Sequence, residues 1–305
     1  MASPRSQEVM RTDSEAVAQT TVAQTVEVIR SRWSITPQAG IILGTGLGSL
    51  ADHIAIAASW SFDELPHFAR STADGHRGRL LGGTLGGVPI LAMDGRFHAY
   101  EGYSPQQITF PVRVMSALGV QLLIVSNASG GLNPSLNSGD IVLIDDHVNL
   151  LGAEFARFAR ASRTQQADCC ELYSAQLLEL TERIAASEQI QVRRGTYIAM
   201  LGPNYETRAE YRWLRTLGDV VGMSTVPEVL VAKEIGLPVI AFSMVTNVFR
   251  PDDIQQNRSE DVIAAASNAE PKLRQLVAHL LIELKSDRDQ SSQVSDSAAR
   301  VASRH

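Results

Sequence analysis

Leu122-Leu123-Ile124-Val125 is an unbroken apolar run that gives way to Ser126-Asn127-Ala128-Ser129-Gly130-Gly131-Leu132-Asn133-Pro134. Apolar residues without alternation mark a strand covered on both faces, as inside a parallel or mixed sheet. The small residues behind it read as a loop at the strand's end. The pattern recurs in both directions. Gly40-Ile41-Ile42-Leu43 leads into Gly44-Thr45-Gly46-Leu47-Gly48-Ser49, and Val88 to Met93 leads into Asp94-Gly95-Arg96-Phe97-His98-Ala99-Tyr100-Glu101-Gly102-Tyr103. Downstream, Gly195 to Leu201 precedes Gly202-Pro203-Asn204-Tyr205-Glu206-Thr207, Val220 to Ser224 precedes Thr225, and Pro238 to Val245 ends at Thr246-Asn247.

Helical patterns separate these strands. Val22, Val26, Ile29 and Trp33 recur at helical spacing. Residues 105–118 form a helix ending at Gly119, and further helices are expected at 47–54, 153–190 and 209–217. Thr225-Val226-Pro227-Glu228 reads as a capping box opening a helix that runs to Gly236, and a long helix spans 259–285. Strands alternating with helices predict one α/β domain with a mixed central sheet flanked by helices. The domain is expected over 14–285, between disordered ends at 1–13 and 286–305, the latter rich in Ser, Asp, Gln and Arg.

Composition narrows the function. A chain of 305 residues with 44% hydrophobic and 20% charged residues is ordinary globular material. A net charge of −6 argues against a nucleic-acid surface. No apolar run approaches the roughly 18 residues of a membrane span, and no signal-peptide pattern is visible, so a cytoplasmic protein is expected. Cys169 and Cys170 are adjacent, which offers neither a disulfide framework nor a thiolate metal site.

In open α/β sheets, ligands bind where strands end. Arg96, His98 and Tyr100 alternate, so in extended backbone they share a face, with an arginine fork and an imidazole suited to an oxyanion. The glycine loop around Thr45 could present backbone N–H groups to an anion or could be a tight turn; it fits neither the G-x-G-x-x-G nor the P-loop pattern. Asp145-Asp146-His147 reads as loop polarity as readily as a metal site. Arg157, Arg160 and Arg163 read as a solvated helix face. Glu206, taken alone, is a carboxylate at a helix start.

Together these motifs resemble the trimeric purine nucleoside phosphorylases. The likeness is carried in order by Gly44–Gly48, Gly75-His76-Arg77-Gly78, Gly95–Tyr103, Asn127–Pro134, Gly202–Thr207, Gly222-Met223-Ser224-Thr225-Val226-Pro227-Glu228 and Thr246-Asn247, across roughly 20–285. The resemblance implies a nucleoside phosphorylase fold and phosphorolysis of inosine, guanosine and their 2′-deoxy forms to free purine and (deoxy)ribose 1-phosphate. It implies a phosphate cradle of Thr45, Arg96, His98, the Ala128 backbone N–H and Ser224, with His76 as a gate. Tyr100 and Met223 would hold the ribose. Ala128, Ser129, Gly130, Tyr205 and Val221 would surround the purine, with Glu206 and Asn247 on its edge. Catalytic roles would fall to Asn247, Glu206 and His98. The family is homotrimeric and uses phosphate as co-substrate, without metal or organic cofactor.

The chain departs from the family at two places. Between Leu150 and Tyr173 the lid stretch is shorter, with Phe155 or Phe158 as candidates for the aromatic residue that reaches a neighbouring subunit. The histidine for the ribose 5′-hydroxyl is replaced near Ser259. Alternative readings are a 5′-methylthioadenosine phosphorylase and a nucleoside-binding protein without turnover.

Overall fold

The sheet branches at strand β5 (Leu122–Gly131). The computed structural model describes residues 19–45, 47–155, 172–250 and 259–302. In it β5 runs parallel to β1 (Ala39–Leu43) and to β9 (Val239–Val248). Beyond β1 the sheet continues through β4 (Val88–Asp94) and β3 (Arg79–Leu85) to an edge strand, β2 (Ala55–Ser61). On the other side β8 (Val220–Gly222), β7 (Val192–Met200) and β6 (Ile141–Leu150) lead round to β9, which pairs back with β5. Those five strands close into a ring, which satisfies their backbone groups without leaving an edge.

Among the described residues six helices flank the sheet: α1 (residues 19–32), α2 (Pro105–Ala117), α3 (Ala175–Ser187), α4 (Arg208–Leu214), α5 (Val226–Glu234) and α6 (Ser259–Ala302). The start of α2 follows from its sequence. Ser104 accepts from the Gln107 amide, the Gln107 side chain accepts from the Ser104 amide, and Pro105 occupies the first turn. Gly119, at φ +100°, turns the chain out of the helix. On α6, Leu273, Leu276, Val277, Leu280 and Leu281 are buried at helical spacing against the main core. A smaller cluster of Leu132, Ile198, Tyr211, Leu214 and Val221 packs separately.

The fold class stands as expected: α/β, one domain, a mixed central sheet with helices around it. Several boundaries differ. Strand β5 runs on through Gly131, so Asn127 to Gly130 are strand and not loop, and β9 carries Thr246 and Asn247 in the same way. These extensions are held by β5–β9 pairing, a tertiary term that local composition does not register. Strand β2 was not expected, and the helix expected at 47–54 is a 3-10 turn at Gly48–His53. The last helix passes the expected stop at Lys285 and reaches Ala302. The expected loose segment 1–13, the arginines 157, 160 and 163, Phe158 and both cysteines lie outside the described residues. Phe155 is buried in the main core and does not stand free to reach a neighbouring copy. Among the described residues no helix is long and apolar enough to cross a membrane.

Gly44 shows how tightly the site end of the sheet is drawn together. A Cβ there would lie 2.6 Å from the Ser126 carbonyl oxygen and 2.8 Å from Asn127 Cα, both backbone atoms that side-chain adjustment does not move. Gly44→Ala is therefore expected to cost about 1–3 kcal/mol by overpacking. The measurement is urea unfolding, where the midpoint should fall with the m-value unchanged; an unshifted midpoint would show that the two strand ends are not locked.

Candidate functional site

A cavity of about 390 Å³ opens where β1, β4, β5, β8 and β9 end. The pairing of β5 with β1 stops at Val125 and its pairing with β8 begins at Gly130, so between them β5 has a strand partner only in β9. That one-sided stretch, carrying Asn127, Ala128 and Ser129, forms the cavity's back wall.

One end of the cavity is built for an anion. Arg96 is 1% exposed, yet only part of its guanidinium is satisfied. Nη1 donates to Ser224 Oγ (2.8 Å) and Thr225 Oγ1 (3.2 Å), whereas Nε and Nη2 are buried without a hydrogen-bond partner. Glu228 Oε1 lies 3.4 Å from Nε, an ion-pair contact without hydrogen-bond alignment. Buried guanidinium N–H groups left open at a cavity are the expected signature of an anion site. Thr45, His98 and Ser224 line the same end.

His98 is fixed from behind. Its Nδ1 lies 3.0 Å from Glu101 Oε1, which also accepts from the His98 amide. Donation from Nδ1 to the carboxylate leaves Nε2 as the ring's second polar atom. Burial alone would raise the Glu101 carboxyl, but hydrogen bonds from His98 and Thr72 hold it down to about 2. The expected extended run from Arg96 to Tyr100 is not what forms. A 3-10 turn occupies Ala99–Glu101, and the rings stack in sequence, His76 on His98 at 5.1 Å and His98 on Tyr100 at 4.7 Å. Arg96, His98 and Tyr100 still meet in one wall.

The other end suits a flat, polar heterocycle. Between Ser129 and Gly130 the β5–β9 register shifts by one residue, so Val245 faces Ser129 and Asn247 faces Gly130. The bulged residue, Thr246, donates to the Ser129 carbonyl at 3.1 Å, and its hydroxyl lies 3.1 Å from Asn247 Oδ1. Bulges re-aim side chains in this way beside functional sites. A Cβ at Gly130 would lie 3.4 Å from Val221 and 3.8 Å from the Asn247 amide, so glycine keeps that flank open. Glu206 lines the same end, its carboxyl raised above the ordinary carboxylate range chiefly by burial, against hydrogen bonds from its own backbone and from Tyr211. Tyr100 and Met223 line the same cavity, and both pack closely against Gly202.

Thirteen of the fourteen residues expected at the site therefore line one cavity, with Ala128, Ser129, Tyr205, Val221 and Met223 among them. His76 does not; it sits behind the wall. Its Nδ1 lies 3.1 Å from the Arg96 carbonyl oxygen and 3.2 Å from the Arg96 amide nitrogen, and Nε2 faces Thr45 Oγ1 at 3.3 Å. Sequence reading missed Asn127, Tyr211, Thr246 and Glu228, whose importance arises from contacts between distant segments. It also missed Val262 and Ile263, which line the cavity from α6. Asp145-Asp146-His147 holds no metal cluster among the described residues; His147 Nδ1 instead bonds the Tyr173 hydroxyl at 3.0 Å.

Residues 38–282 match the sequence profile of the phosphorylase superfamily. The chain is 48% identical over 223 residues to purine nucleoside phosphorylase 1 of Bacillus subtilis, covering 70% of this chain and 79% of that one. It is 42% identical to the purine nucleoside phosphorylase of Bos taurus, covering 81% and 89%. Among solved structures it resembles Schistosoma mansoni purine nucleoside phosphorylase in complex with adenosine, at TM-score 0.78 and 36% identity over 86% of this chain and 96% of that one. A schistosome purine nucleoside phosphorylase with hypoxanthine gives the same TM-score and identity over 87% and 96%.

The geometry of His76 sets a pH dependence. Burial, then the neighbouring His98 and Arg96, lower its imidazole from 6.5 to about 3. From pH 6.5 down to about 3, the unfolded chain binds a proton here that the folded chain refuses, so stability falls as pH drops through that window. His76→Gln should remove this part of the acid sensitivity. Urea midpoints of both proteins near pH 7 and pH 5 should diverge in slope; parallel losses would place His76 in contact with water.

Proposed function

The chain belongs to the phosphorylase superfamily, and from that premise we infer that it is a purine nucleoside phosphorylase. What supports this reading is that one cavity is lined by Arg96, with guanidinium N–H groups left open, and also by Glu206, Asn247, Tyr100 and Met223. The substrates are inosine, guanosine and their 2′-deoxy forms, and the products are the free purine and (deoxy)ribose 1-phosphate.

Phosphate held by Thr45, Arg96, His98, Ser224 and the Ala128 backbone is both nucleophile and counter-charge. One of its oxygens bonds to C1′ as the C1′–N9 bond breaks, and the released pair passes into the purine. Asn247 can donate to N7 as electron density arrives there, an electrostatic contribution of the kind worth about 3 kcal/mol per preorganised donor. The Glu206 carboxylate accepts from N1–H, a donor that 6-oxopurines carry and adenine lacks. Asn247 and the named relatives favour this reading over a 5′-methylthioadenosine phosphorylase or a binding protein without turnover. The same proposal includes a homotrimer, a cytoplasmic location and chemistry without metal or organic cofactor. Exposed Leu201 and Trp213 supply apolar surface for association.

Hypoxanthine should be released from inosine only when phosphate is present, and Arg96→Ala should raise the phosphate KM while lowering kcat. Unchanged kinetics in that variant would remove Arg96 from the cradle. Base choice gives a second test. Facing the bare N1 of adenine, the Glu206 carboxylate loses its partner, which costs about 1–3 kcal/mol, or roughly tenfold to a hundredfold in kcat/KM. Asn247→Asp should narrow the gap between adenosine and inosine, and Glu206→Ala should depress inosine turnover far more than adenosine turnover. Comparable turnover of both nucleosides by the wild type would overturn the roles of this pair.

A further inference from the structure

Glu228 sits behind Arg96 in the first turn of α5, 2% exposed and outside the cavity wall. Carboxylates buried in a core are normally held by several donors, because every orphaned oxygen carries its desolvation penalty. Glu228 lacks them. Among the described residues its Oε2 is buried with no hydrogen-bond partner, and Oε1 makes a 3.4 Å ion-pair contact with Arg96 Nε. Nor does it cap its helix: Thr225 makes no side-chain cap bond, and its hydroxyl is taken by Arg96 and the Asn127 amide. What Glu228 offers at this position is charge.

We propose that Glu228 is a resident counter-ion that neutralises Arg96 while the site is empty and thereby holds phosphate affinity down. The inference rests on reading Arg96 as the phosphate ligand. Two anions then share one buried guanidinium, Glu228 from behind and phosphate from the cavity. Without Glu228 the empty protein would bury an uncompensated cation, and with it an incoming dianion meets a like charge across the same fork. Stability of the empty state and affinity for phosphate are thus linked with opposite signs. A restrained affinity also lets a phosphorylated product leave.

The alternative is that Glu228 only orients Arg96, in which case its loss weakens phosphate binding. Glu228→Gln separates the two by keeping the shape and removing the charge. In buffer free of phosphate and sulfate, the variant should melt several degrees below the wild type, and saturating inorganic phosphate should close most of that gap. Calorimetric titration with inorganic phosphate should give a Kd roughly tenfold below the wild type's, the scale expected for deleting a like charge in a buried site. The phosphate KM should fall with it and the nucleoside KM should not move. Equal or weaker phosphate binding by the variant, or a melting deficit that persists at saturating phosphate, overturns the proposal. If Glu228→Gln is not recovered folded, Glu228→Asp carries the test, with the same signs and smaller amplitude expected. A wild type that phosphate neither binds nor stabilises removes the phosphorylase premise and this inference together; failure confined to the variants removes the inference alone.

Discussion

A guanidinium buried to 1% exposure, with the donors on Nε and Nη2 unused, is the constraint around which the rest of the molecule is arranged. Removing such a group from water carries a penalty of several kcal/mol unless charge and hydrogen bonds compensate. Here compensation comes from two distant parts of the chain. Ser224 and Thr225 accept from Nη1, Glu228 supplies the opposite charge, and Asn127 on β5 locks Thr225 at 2.9 Å. Arg96 thus ties the end of β4 to the middle of β5 and to the turn into α5. The cavity exists because those three segments are held apart at fixed distances.

The base end depends on a different device. A flat ligand slot beside a closed ring of strands needs side chains that point into a sheet which would otherwise be continuous. The bulge at Thr246 supplies this by letting Asn247 face Gly130 across the cavity floor. The buried hydroxyls on that floor are linked, with Ser243 donating at 2.7 Å to Asn127 and lying 2.6 Å from Ser129 Oγ. A line of hydrogen-bonding groups therefore runs under the cavity from Thr225 through Asn127, Ser243 and Ser129 to Thr246. Fully connected buried networks of this kind rigidify a site, and they do so at both ends together.

Much of the arrangement was legible in the sequence because apolar runs without alternation are a strong local signal. They located the strands, and the motifs at their ends, through the family resemblance they carry, pointed to Thr45, Arg96, His98, Glu206 and Asn247, which line one cavity. What local signals could not give was how far β5 and β9 extend, since Ser126 to Gly131 have loop composition and become strand only by pairing with each other's neighbours. Strand β2 was invisible for a similar reason. Its exposed, weakly patterned residues are held by β3 alone at the sheet's edge.

The one place where local grammar pointed firmly and failed is Thr225-Val226-Pro227-Glu228. Serine or threonine followed by glutamate three residues on, with proline between, reads as a capped helix start. Both partners are instead drawn towards Arg96, and the backbone bends to allow it. Thr225 adopts φ +73° and ψ −52°, and the Val226 amide donates to the Ser224 carbonyl at 2.8 Å, closing a γ-turn. Such a conformation costs a β-branched residue of order 1–3 kcal/mol and persists only where the surroundings over-determine it. Here the over-determination is visible, in the bonds that Thr225 Oγ1 makes to Arg96 and Asn127. The strain also sets the Ser224 hydroxyl 2.8 Å from Nη1 at the cavity wall. A cap given up and a residue held in a strained turn, both for the sake of one arginine, put the functional demand at Arg96 above the local stability of α5.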